Sequence, residues 1–208
     1  MNVKEAYNSW ASQYDSNDNK TRDLEAISLR KTLANISFDN CLEIGCGTGK
    51  NTEWLMLEAK QVTSVDLSDK MLAKAKQKIN AKNVQFIQAD ITDNWTFANS
   101  EYDLVTFSLV LEHIENLEAV FNKISKVTAP NGFVYIGELH PFKQYTGTKA
   151  RFETKEGQQI VTCFNHHISD FTTAAKQNSF DIVDILEFFD ENDSMSIPRI
   201  LTLVLRKK

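Results

Sequence analysis

Three alternating glycines constrain this chain more than any other sequence feature. Gly45, Gly47 and Gly49 follow a short apolar run at residues 42–44, and Asp66 closes the next apolar run 21 positions after Gly45. Glycine has no Cβ, so it adopts positive φ angles and lets the backbone lie close against a flat ligand. A carboxylate about 20 residues after such a turn can accept hydrogen bonds from both hydroxyls of a ribose. The pattern predicts a βαβ unit that binds an adenosine-containing cofactor.

The size and composition of the chain indicate one globular domain. Its 208 residues are 42% hydrophobic and 25% charged, which suits a protein with a substantial buried core. The formal net charge of −5 disfavours binding of a polyanion by the whole surface. No apolar run approaches the roughly 18 residues of a membrane span, and residues 1–18 lack the apolar core of a signal peptide. We therefore expect a cytoplasmic protein.

The cysteines and histidines do not follow a disulfide or metal pattern. Cys41, Cys46 and Cys163 are odd in number and have no C-x-x-C spacing, so reduced thiols are the simplest interpretation. The four histidines show neither HxH nor HExxH spacing. We therefore predict that the protein has no metal site.

Apolar β-type runs alternate with helical patterns along most of the chain. Strands are predicted at residues 41–45, 61–67, 84–90, 102–108 and 133–139. Helices are predicted at residues 50–60, 69–81, 116–128 and 169–178. Two further apolar runs, at 180–189 and 199–207, predict an antiparallel hairpin at the sheet edge. This order predicts an α/β fold with a doubly wound, seven-stranded, mostly parallel sheet and an antiparallel C-terminal hairpin.

In a sheet of this kind the ligand crevice lies at the carboxyl ends of the parallel strands. Two segments are expected to cover that edge. Residues 1–37 are interpreted as a lid or helical segment, and residues 140–168 as an excursion of mixed turn and strand character on the substrate side. With both segments included, residues 1–208 are predicted to form a single domain.

Five sequence elements, in order, resemble the class I S-adenosylmethionine-dependent methyltransferases. The resemblance is to the small-molecule group that includes the menaquinone- and ubiquinone-type enzymes. It covers residues 41–139 well and the flanks more loosely. The elements are Glu43-x-Gly45-x-Gly47-x-Gly49, Val65-Asp66-Leu67-Ser68, Ala89-Asp90-Ile91, residues 103–114 and Pro130-Asn131-Gly132-Phe133. The resemblance implies a Rossmann-like methyltransferase fold, S-adenosyl-L-methionine as cofactor, S-adenosyl-L-homocysteine as product, and in-line transfer of a methyl group.

The resemblance also implies a set of cofactor contacts. The backbone at Gly45 and Gly47 would approach the methionine part of the cofactor, and Glu43 would lie near its ammonium, directly or through the loop backbone. Ser108 and Leu109 would line the floor below the sulfonium. The complete set is Tyr14, Glu43, Gly45, Cys46, Gly47, Gly49, Asp66, Leu67, Met71, Ala89, Asp90, Ile91, Ser108, Leu109 and His113.

Within this set, Asp66 would hold the ribose and Leu67 with Met71 would flank the adenine ring. Asp90 would accept a hydrogen bond from the adenine amino group, beside the backbone of Ala89 and Ile91. A structural alternative for Asp90 is that it caps the loop after its strand.

The N-terminal aromatic residues and one histidine are candidates for the substrate side. Tyr7, Trp10, Tyr14 and Asp15 resemble the Tyr-Asp pair that closes over the cofactor in the family, where aromatic faces would attract the sulfonium. Packing of an amphipathic helix on the core is the alternative. His140 directly follows the fifth predicted strand and is the candidate catalytic base, unless it is a loop histidine bonded to backbone. The substrate-side candidates are Tyr7, Trp10, His140, Tyr145 and His166.

Other ligand classes fit the sequence less well. For a dinucleotide turn, the residue after Lys50 should be glycine or alanine, but it is Asn51. For a P-loop, the residue five before Gly49 should be glycine, but it is Ile44. The chain also lacks the Asn/Asp-Pro-Pro-aromatic and Pro-Cys motifs of nucleic-acid methyltransferases.

The sequence therefore predicts methyl transfer to an O, N or C atom of a small organic molecule. The alternatives are a non-catalytic S-adenosylmethionine-binding module and, with less support, a nucleic-acid methyltransferase or an NAD-dependent oxidoreductase. A monomer and a homodimer are both left open.

Overall fold

A computed structural model describes residues 2–154, 157–190 and 196–208. Its main sheet has seven strands in the order β3-β2-β1-β4-β5-β9-β8, and β6 and β7 form a separate hairpin. The strands are β1 (Asn40–Ile44), β2 (Gln61–Asp66), β3 (Val84–Gln88), β4 (Tyr102–Ser108), β5 (Thr128–Leu139), β6 (Arg151–Thr154), β7 (Gly157–Ile160), β8 (Phe180–Phe188) and β9 (Ile200–Lys207).

The first five strands of the sheet are parallel, and the C-terminal pair is antiparallel. β2, β1, β4 and β5 pair in parallel with their neighbours, whereas β9 runs antiparallel to both β5 and β8. The predicted doubly wound, mostly parallel sheet with a C-terminal hairpin is therefore confirmed. Because β1, β2 and β4 lie side by side and point the same way, the loops after them meet at one edge.

Seven α-helices and one 3-10 turn connect these strands within the described residues. Asn2, Asn19, Ser68 and Asn116 each accept a hydrogen bond from a backbone N–H of the helix that follows, which fixes where four of the helices begin. The helices are α1 (Val3–Trp10), α2 (Lys20–Leu33), α3 (Thr52–Glu58), α4 (Asp69–Lys78), α5 (Leu117–Val127), α6 (Pro141–Tyr145) and α7 (Ile168–Gln177), with the 3-10 turn at Leu111–His113.

The two faces of the sheet carry separate parts of the core. Successive residues of a strand point to opposite faces, so Val105 packs with α5 and α7 while its neighbour Leu104 packs with α2 and α3. Both side chains are fully buried. None of the described helices combines the length and apolar character that crossing a bilayer requires.

Strand β5 begins five residues earlier than the predicted 133–139. Thr128 already pairs with Tyr102, and pairing resumes between Phe133 and Leu104 after a bulge. Asn131 in that bulge has a φ of 64°, and Asn is one of the few non-glycine residues that adopts this region readily. The segment between the predicted helix at 116–128 and the predicted strand at 133–139 is therefore a bulge inside a longer strand, because both of its flanks pair with β4.

The excursion after β5 contains one short helix, α6, and the β6–β7 hairpin. The hairpin contacts the N-terminal segment, since Trp10 stacks on Phe152 with ring centroids 5.2 Å apart. The Gln13 side-chain amide also donates to the backbone carbonyl of Glu153 at 2.7 Å. The two segments outside the sheet are therefore in contact with each other.

The buried stripe of α5 gives a test of the core. Phe121 is fully buried between α5 and the sheet, so we expect Phe121→Ala to lower the free energy of unfolding by about 3–5 kcal/mol. Urea denaturation measures the change. Lys126→Ala, on the exposed side of the same helix, is the control and should change stability by less than about 0.5 kcal/mol. Equal stability of the two variants would contradict this packing.

Candidate active site

A cavity of about 450 Å³ lies at the carboxyl ends of β1, β2, β3 and β4. Its volume lies within the range of about 300–1,000 Å³ that is typical of small-molecule sites. The cavity brings together twelve of the residues predicted from sequence, which come from separate parts of the chain. They are Tyr7, Tyr14, Gly45, Gly47, Asp66, Leu67, Ala89, Asp90, Ile91, Ser108, Leu109 and His113.

The glycine turn folds back onto the end of β2. The amides of Gly45 and Cys46 both donate to the Val65 carbonyl, at 2.7 and 3.0 Å. Gly45 and Gly47 have φ angles of 74° and 54°, which favour glycine. A Cβ on Gly45 would lie 2.2 Å from a methyl carbon of Val110, whereas a Cβ on Gly47 would meet nothing within 4 Å. The turn therefore leaves open space along its backbone at Gly47.

Asp66 is fixed at the end of β2 by two backbone donors. The Gly47 amide donates to its Oδ2 and the Ser68 amide to its Oδ1, both at 2.8 Å. Burial raises the pKa of Asp66 to about 6, although these amides favour the charged form. Each carboxylate oxygen has a second lone pair, so the carboxylate that lines the cavity can still accept hydrogen bonds from a ligand.

Asp90 lines the cavity and also stabilises its own loop. Its Oδ1 accepts from the backbone amide of Thr92 at 2.8 Å and from the Thr92 hydroxyl at 2.7 Å. The loop-capping role considered for Asp90 is therefore present. It does not prevent Asp90 from facing a ligand, because Asp90 is part of the cavity lining.

Glu138, a buried residue at the end of β5, organises the loop after β4. Its carboxylate accepts the backbone amides of Val110 at 2.9 Å, Leu111 at 2.7 Å and Glu112 at 3.3 Å. Burial and the neighbouring Glu112 carboxyl raise the pKa of Glu138 to about 8, against the effect of these donors. The sequence analysis missed Glu138, although an acidic residue inside an apolar strand is a detectable signal.

A buried polar network supports the floor of the cavity from behind. The Asn51 side-chain amide donates to the Glu25 carboxylate at 2.9 Å and to the Ser108 hydroxyl at 3.1 Å. The Tyr135 hydroxyl donates to the same carboxylate at 3.1 Å. Helix α2 is thereby connected to Ser108 at the end of β4. Sequence patterns did not indicate this network, because its members are far apart in the chain.

The N-terminal segment is hydrogen-bonded to the loops around the cavity. The Thr48 hydroxyl donates to Asp15 at 2.6 Å, and the Ser68 hydroxyl donates to Asn8 at 2.5 Å. Lys78 forms an ion pair with Asp15 at 3.0 Å. Residues 7–15 are therefore attached both to the glycine turn and to the start of α4.

His113 is hydrogen-bonded through both of its ring nitrogens. Its Nδ1 lies 2.7 Å from the Thr162 carbonyl oxygen, which can only accept, so Nδ1 carries the proton. Its Nε2 then accepts from the Tyr7 hydroxyl at 2.8 Å. Burial raises the pKa of Tyr7 well above its usual value, which keeps this hydroxyl protonated as a donor.

Glu43, Cys46, Gly49 and Met71 do not line the cavity. The Glu43 carboxylate accepts from the hydroxyls of Thr52 at 2.5 Å and Ser64 at 2.7 Å, which connects β1 with α3 and β2. Burial raises its pKa to about 7. Met71 packs in a buried cluster with the N-terminal helix. No direct contact between Glu43 and a ligand in the cavity is indicated, and the indirect route through the loop backbone stays a prediction.

His140, Tyr145 and His166 also lie outside the cavity. His140 is buried, its Nδ1 accepts the Phe142 amide at 3.2 Å at the start of α6, and its Nε2 lies 3.0 Å from Glu187. The structure therefore shows the backbone-bonded loop histidine that was the alternative for His140. The Tyr145 hydroxyl lies 2.6 Å from the His167 ring, and His166 donates to the Ile114 carbonyl at 2.7 Å.

A second cavity of about 320 Å³ adjoins the first. The two share Tyr7, Tyr14 and Leu109, and the second is also lined by Trp10 and Glu112. Trp10, predicted on the substrate side, therefore lies beside this second cavity.

Leu109, which lines both cavities, has a φ of 57°. This conformation costs a non-glycine residue about 1–2 kcal/mol. The Leu109 amide donates to the Gly137 carbonyl at 2.8 Å.

Glu112, His113 and Cys163 place metal-binding atoms within 4.8 Å of one another. Both nitrogens of His113 already have hydrogen-bond partners, and the Cys163 thiol has a pKa raised by burial to about 12. A metal ion would have to displace these hydrogen bonds and ionise the thiol. The absence of a metal therefore stays a prediction.

The chain is similar to known methyltransferases in sequence and in structure. Residues 42–136 match the family model described as a methyltransferase domain. A malonyl-[acyl-carrier protein] O-methyltransferase of Priestia megaterium is 30% identical over 169 residues, covering 79% of this chain and 56% of the relative. An uncharacterized methyltransferase of Emericella nidulans is 23% identical, covering 87% of this chain and 76% of the relative. The solved DhpI-SAH complex is 23% identical, with a TM-score of 0.77 over 98% of this chain and 94% of that chain.

The strand order of the sheet, the glycine turn and the matched family model all indicate a methyltransferase domain. Residues 42–136 carry a methyltransferase domain, and the chain has the fold of the solved S-adenosylmethionine-dependent methyltransferases. The neighbour DhpI was solved as a complex with SAH, which agrees with the cofactor predicted from the glycine turn and Asp66.

Two glycine variants test the geometry of the turn. Gly45→Ala adds strain at a positive φ and also forces Val110 aside, whereas Gly47→Ala adds only the backbone strain. We expect Gly47→Ala to cost about 1–2 kcal/mol of unfolding free energy, and Gly45→Ala to cost clearly more. Urea denaturation of both variants measures the difference. A Gly45→Ala variant as stable as Gly47→Ala would show that Val110 does not close over the turn.

Proposed function

We propose that this protein transfers the methyl group of S-adenosyl-L-methionine to an O, N or C atom of a small organic molecule. The observation that carries the proposal is the cavity at the strand ends, in which the open glycine turn faces the half-buried Asp66 carboxylate and a second cavity adjoins it. Two connected chambers suit a reaction that brings a cofactor and an acceptor together.

The cavity fits an adenosyl group in its shape and its polar groups. The open backbone at Gly47 leaves room for the methionine part, together with Gly45. Asp66 would accept the ribose hydroxyls through its remaining lone pairs. Leu67 and residues 89–91 would enclose the adenine, with Asp90 as a polar acceptor. Ser108, held from behind by Asn51, would form the floor.

When bound, S-adenosyl-L-methionine supplies an electrophilic methyl group on a cationic sulfonium. The chain's own contribution is to orient the reactants and to exclude water, which can provide several kcal/mol of rate acceleration without acid–base chemistry. Tyr7, Trp10 and Tyr14 form an aromatic cluster above the shared part of the two cavities, with ring centroids 5.0–6.3 Å apart. Of these rings, Tyr7 and Tyr14 line the first cavity, where an aromatic face would favour a positive charge.

Glu112 lies on the acceptor side as a polar group with spare capacity. It is 5% exposed, it lines the second cavity, and its Oε2 has no hydrogen-bond partner among the described residues. Burial raises its pKa. A hydroxyl or amine of the acceptor would satisfy this oxygen, and the Nε2 of His113 lies 3.9 Å from the other carboxylate oxygen. Glu112 and His113, rather than His140, are therefore the proposed polar contacts of the reacting atom.

The organisation predicted from sequence is kept in this proposal. Residues 1–208 would act as one domain, with residues 1–37 and 140–168 closing over the strand ends, and contacts between Trp10 and Phe152 support this arrangement. Cys41, Cys46 and Cys163 are free thiols, which supports a cytoplasmic location. Both a monomer and a homodimer remain compatible with the proposal.

Cofactor affinity should depend on pH through Asp66. Its folded-state pKa of about 6 exceeds the unfolded value of about 3.9, so the folded protein keeps a proton that the unfolded chain has lost. Rising pH therefore weakens the unliganded fold between about pH 4 and 6, while the carboxylate that binds ribose appears over the same range. We expect S-adenosyl-L-homocysteine to bind about tenfold more tightly at pH 7 than at pH 5. Calorimetry at both values measures this.

Asp66→Asn is the matched control for that measurement. It keeps the shape of the side chain and removes the titrating proton, so its weaker binding should not change with pH over the same interval. An unchanged pH dependence in this variant would assign the effect to another group. Normal binding by Asp66→Ala at pH 7 would contradict the role of Asp66 itself.

Methyl transfer is tested with methyl-labelled S-adenosyl-L-methionine and a broad panel of small-molecule acceptors. The proposal expects label in an organic product and calorimetric binding of S-adenosyl-L-homocysteine but not of NAD or NADP. Tight binding of S-adenosyl-L-homocysteine without transfer to any acceptor would instead favour a non-catalytic module. Transfer of the label to DNA or RNA in place of small molecules would also overturn the proposal.

A further inference from the structure

The second cavity differs in charge from the chain as a whole. The chain has a formal net charge of −5, but five cationic and two acidic side chains line this cavity. The cationic residues are Lys20, Arg22, Lys149, Arg151 and Arg199, and the acidic ones are Asp18 and Glu112. A local reversal of charge inside a concave site indicates a ligand of the opposite sign.

Arg199 is fixed in place by hydrogen bonds from its guanidinium. Arg199 pairs with Asp190 through two hydrogen bonds of 2.5 and 2.6 Å, and a third goes to the Thr21 hydroxyl at 3.1 Å. Its charge is therefore compensated, and it forms part of a rigid wall. This pair also lowers the pKa of Asp190, chiefly through the hydrogen bonds from Arg199.

Arg22 is held differently, and its charge is less well compensated. Its side chain is only 12% exposed, its ion pair with the Asp23 carboxylate is long at 4.0 Å, and the Asp15 carboxylate interacts with it electrostatically. Its guanidinium donates instead to the backbone carbonyls of Tyr14 and Asn17 and lies over the Tyr14 ring. A guanidinium has five N–H donors, so others stay available. A nearly buried cation without a close carboxylate is costly unless an anion joins it.

Lys149 and Arg151 extend the positive charge to the mouth of the cavity. Both are exposed and flank Ala150 at the start of β6. Within residues 2–154, 157–190 and 196–208, no carboxylate oxygen forms an ion pair within 4.0 Å with either. The chain at the start of the hairpin therefore adds two cations to the lining of the cavity that also contains Arg22.

The second cavity begins where the methyl group would leave the first. Tyr7, Tyr14 and Leu109 belong to both cavities, and Leu109 follows Ser108, the proposed floor below the sulfonium. Beside its cationic residues, the second cavity is lined by the apolar side chains of Leu109, Leu139 and Trp10. Glu112, whose carboxylate lies 3.9 Å from the His113 ring, lines the same cavity.

We propose that the methyl acceptor is a small organic acid whose oxyanion group binds to Arg22, Lys149 and Arg151 in the second cavity. This inference rests on the proposed methyl transfer and adds the chemical class of the acceptor. The uncharged part of the acid lies against Leu109 and Leu139, with its reacting atom toward the first cavity. A volume of about 320 Å³ fits a small molecule. The oxyanion is a carboxylate or a phosphoryl group, since arginine and lysine bind both.

Calorimetric titration of the protein saturated with S-adenosyl-L-homocysteine tests the inference. The probes are inorganic phosphate and malonate, each at constant ionic strength set with sodium chloride. We expect at least one to bind to the wild-type protein, and the stronger of the two identifies phosphoryl or carboxylate chemistry. Lys149→Glu and Arg151→Glu should each weaken that binding about tenfold or more. Lys126→Glu makes the same charge change on the exposed face of α5 and should leave affinity unchanged.

Two readouts separate this inference from the proposed function. If S-adenosyl-L-homocysteine itself does not bind, the methyltransferase proposal fails. If it binds but neither phosphate nor malonate does, or if all three charge variants bind the anions equally, only the acidic acceptor is overturned. Methyl transfer to a panel of acids and their amides gives an independent result. Label in the acids, with a higher KM in Lys149→Glu, supports the inference, and equal label in the amides contradicts it.

Discussion

The site depends on the hydrogen bonds that fold the glycine turn onto the end of β2. The Gly45 and Cys46 amides share the Val65 carbonyl, and the Gly47 amide binds Asp66. These bonds form because β1 and β2 are adjacent and parallel, so both strands end at the same edge of the sheet. They also require positive φ angles that glycine adopts without strain. Through Gly47 and Thr48 the glycine turn then positions Asp66 and the N-terminal segment, and its backbone at Gly47 faces open space.

Charge is distributed unevenly around the two cavities. Acidic side chains lie beside the chamber proposed for a cationic cofactor, with Asp66 and Asp90 in its lining. Cationic side chains dominate the chamber proposed for the acceptor. The groups that separate them, Tyr7, Tyr14 and Leu109, carry no formal charge. An arrangement of this kind would orient a positive methyl donor and a negative acceptor toward their shared boundary before any reaction occurs.

The sheet could be predicted from sequence because each of its strands is a local apolar run. The periodic stripe of α5 and the Ser68 cap of α4 are also local signals, and both helices begin where predicted to within a residue. The early start of β5 was missed because the pairing of Thr128 with Tyr102 is a long-range contact. Glu138 and the Glu25 network were missed for the same reason, since their partners are distant in the chain.

The sequence by itself determined the order of strands and helices along the chain, the glycine turn and the carboxylate that faces it, because backbone conformation and hydrophobic spacing are properties of short segments. The tertiary structure alone decided which polar residues reach the cavity. In the folded chain His140 caps helix α6, and Glu43 accepts hydrogen bonds that connect β1 with α3 and β2. Glu112 and Arg22 lie in the lining of the second cavity. A side chain's chemistry is local, but its direction and its neighbours depend on how distant segments pack.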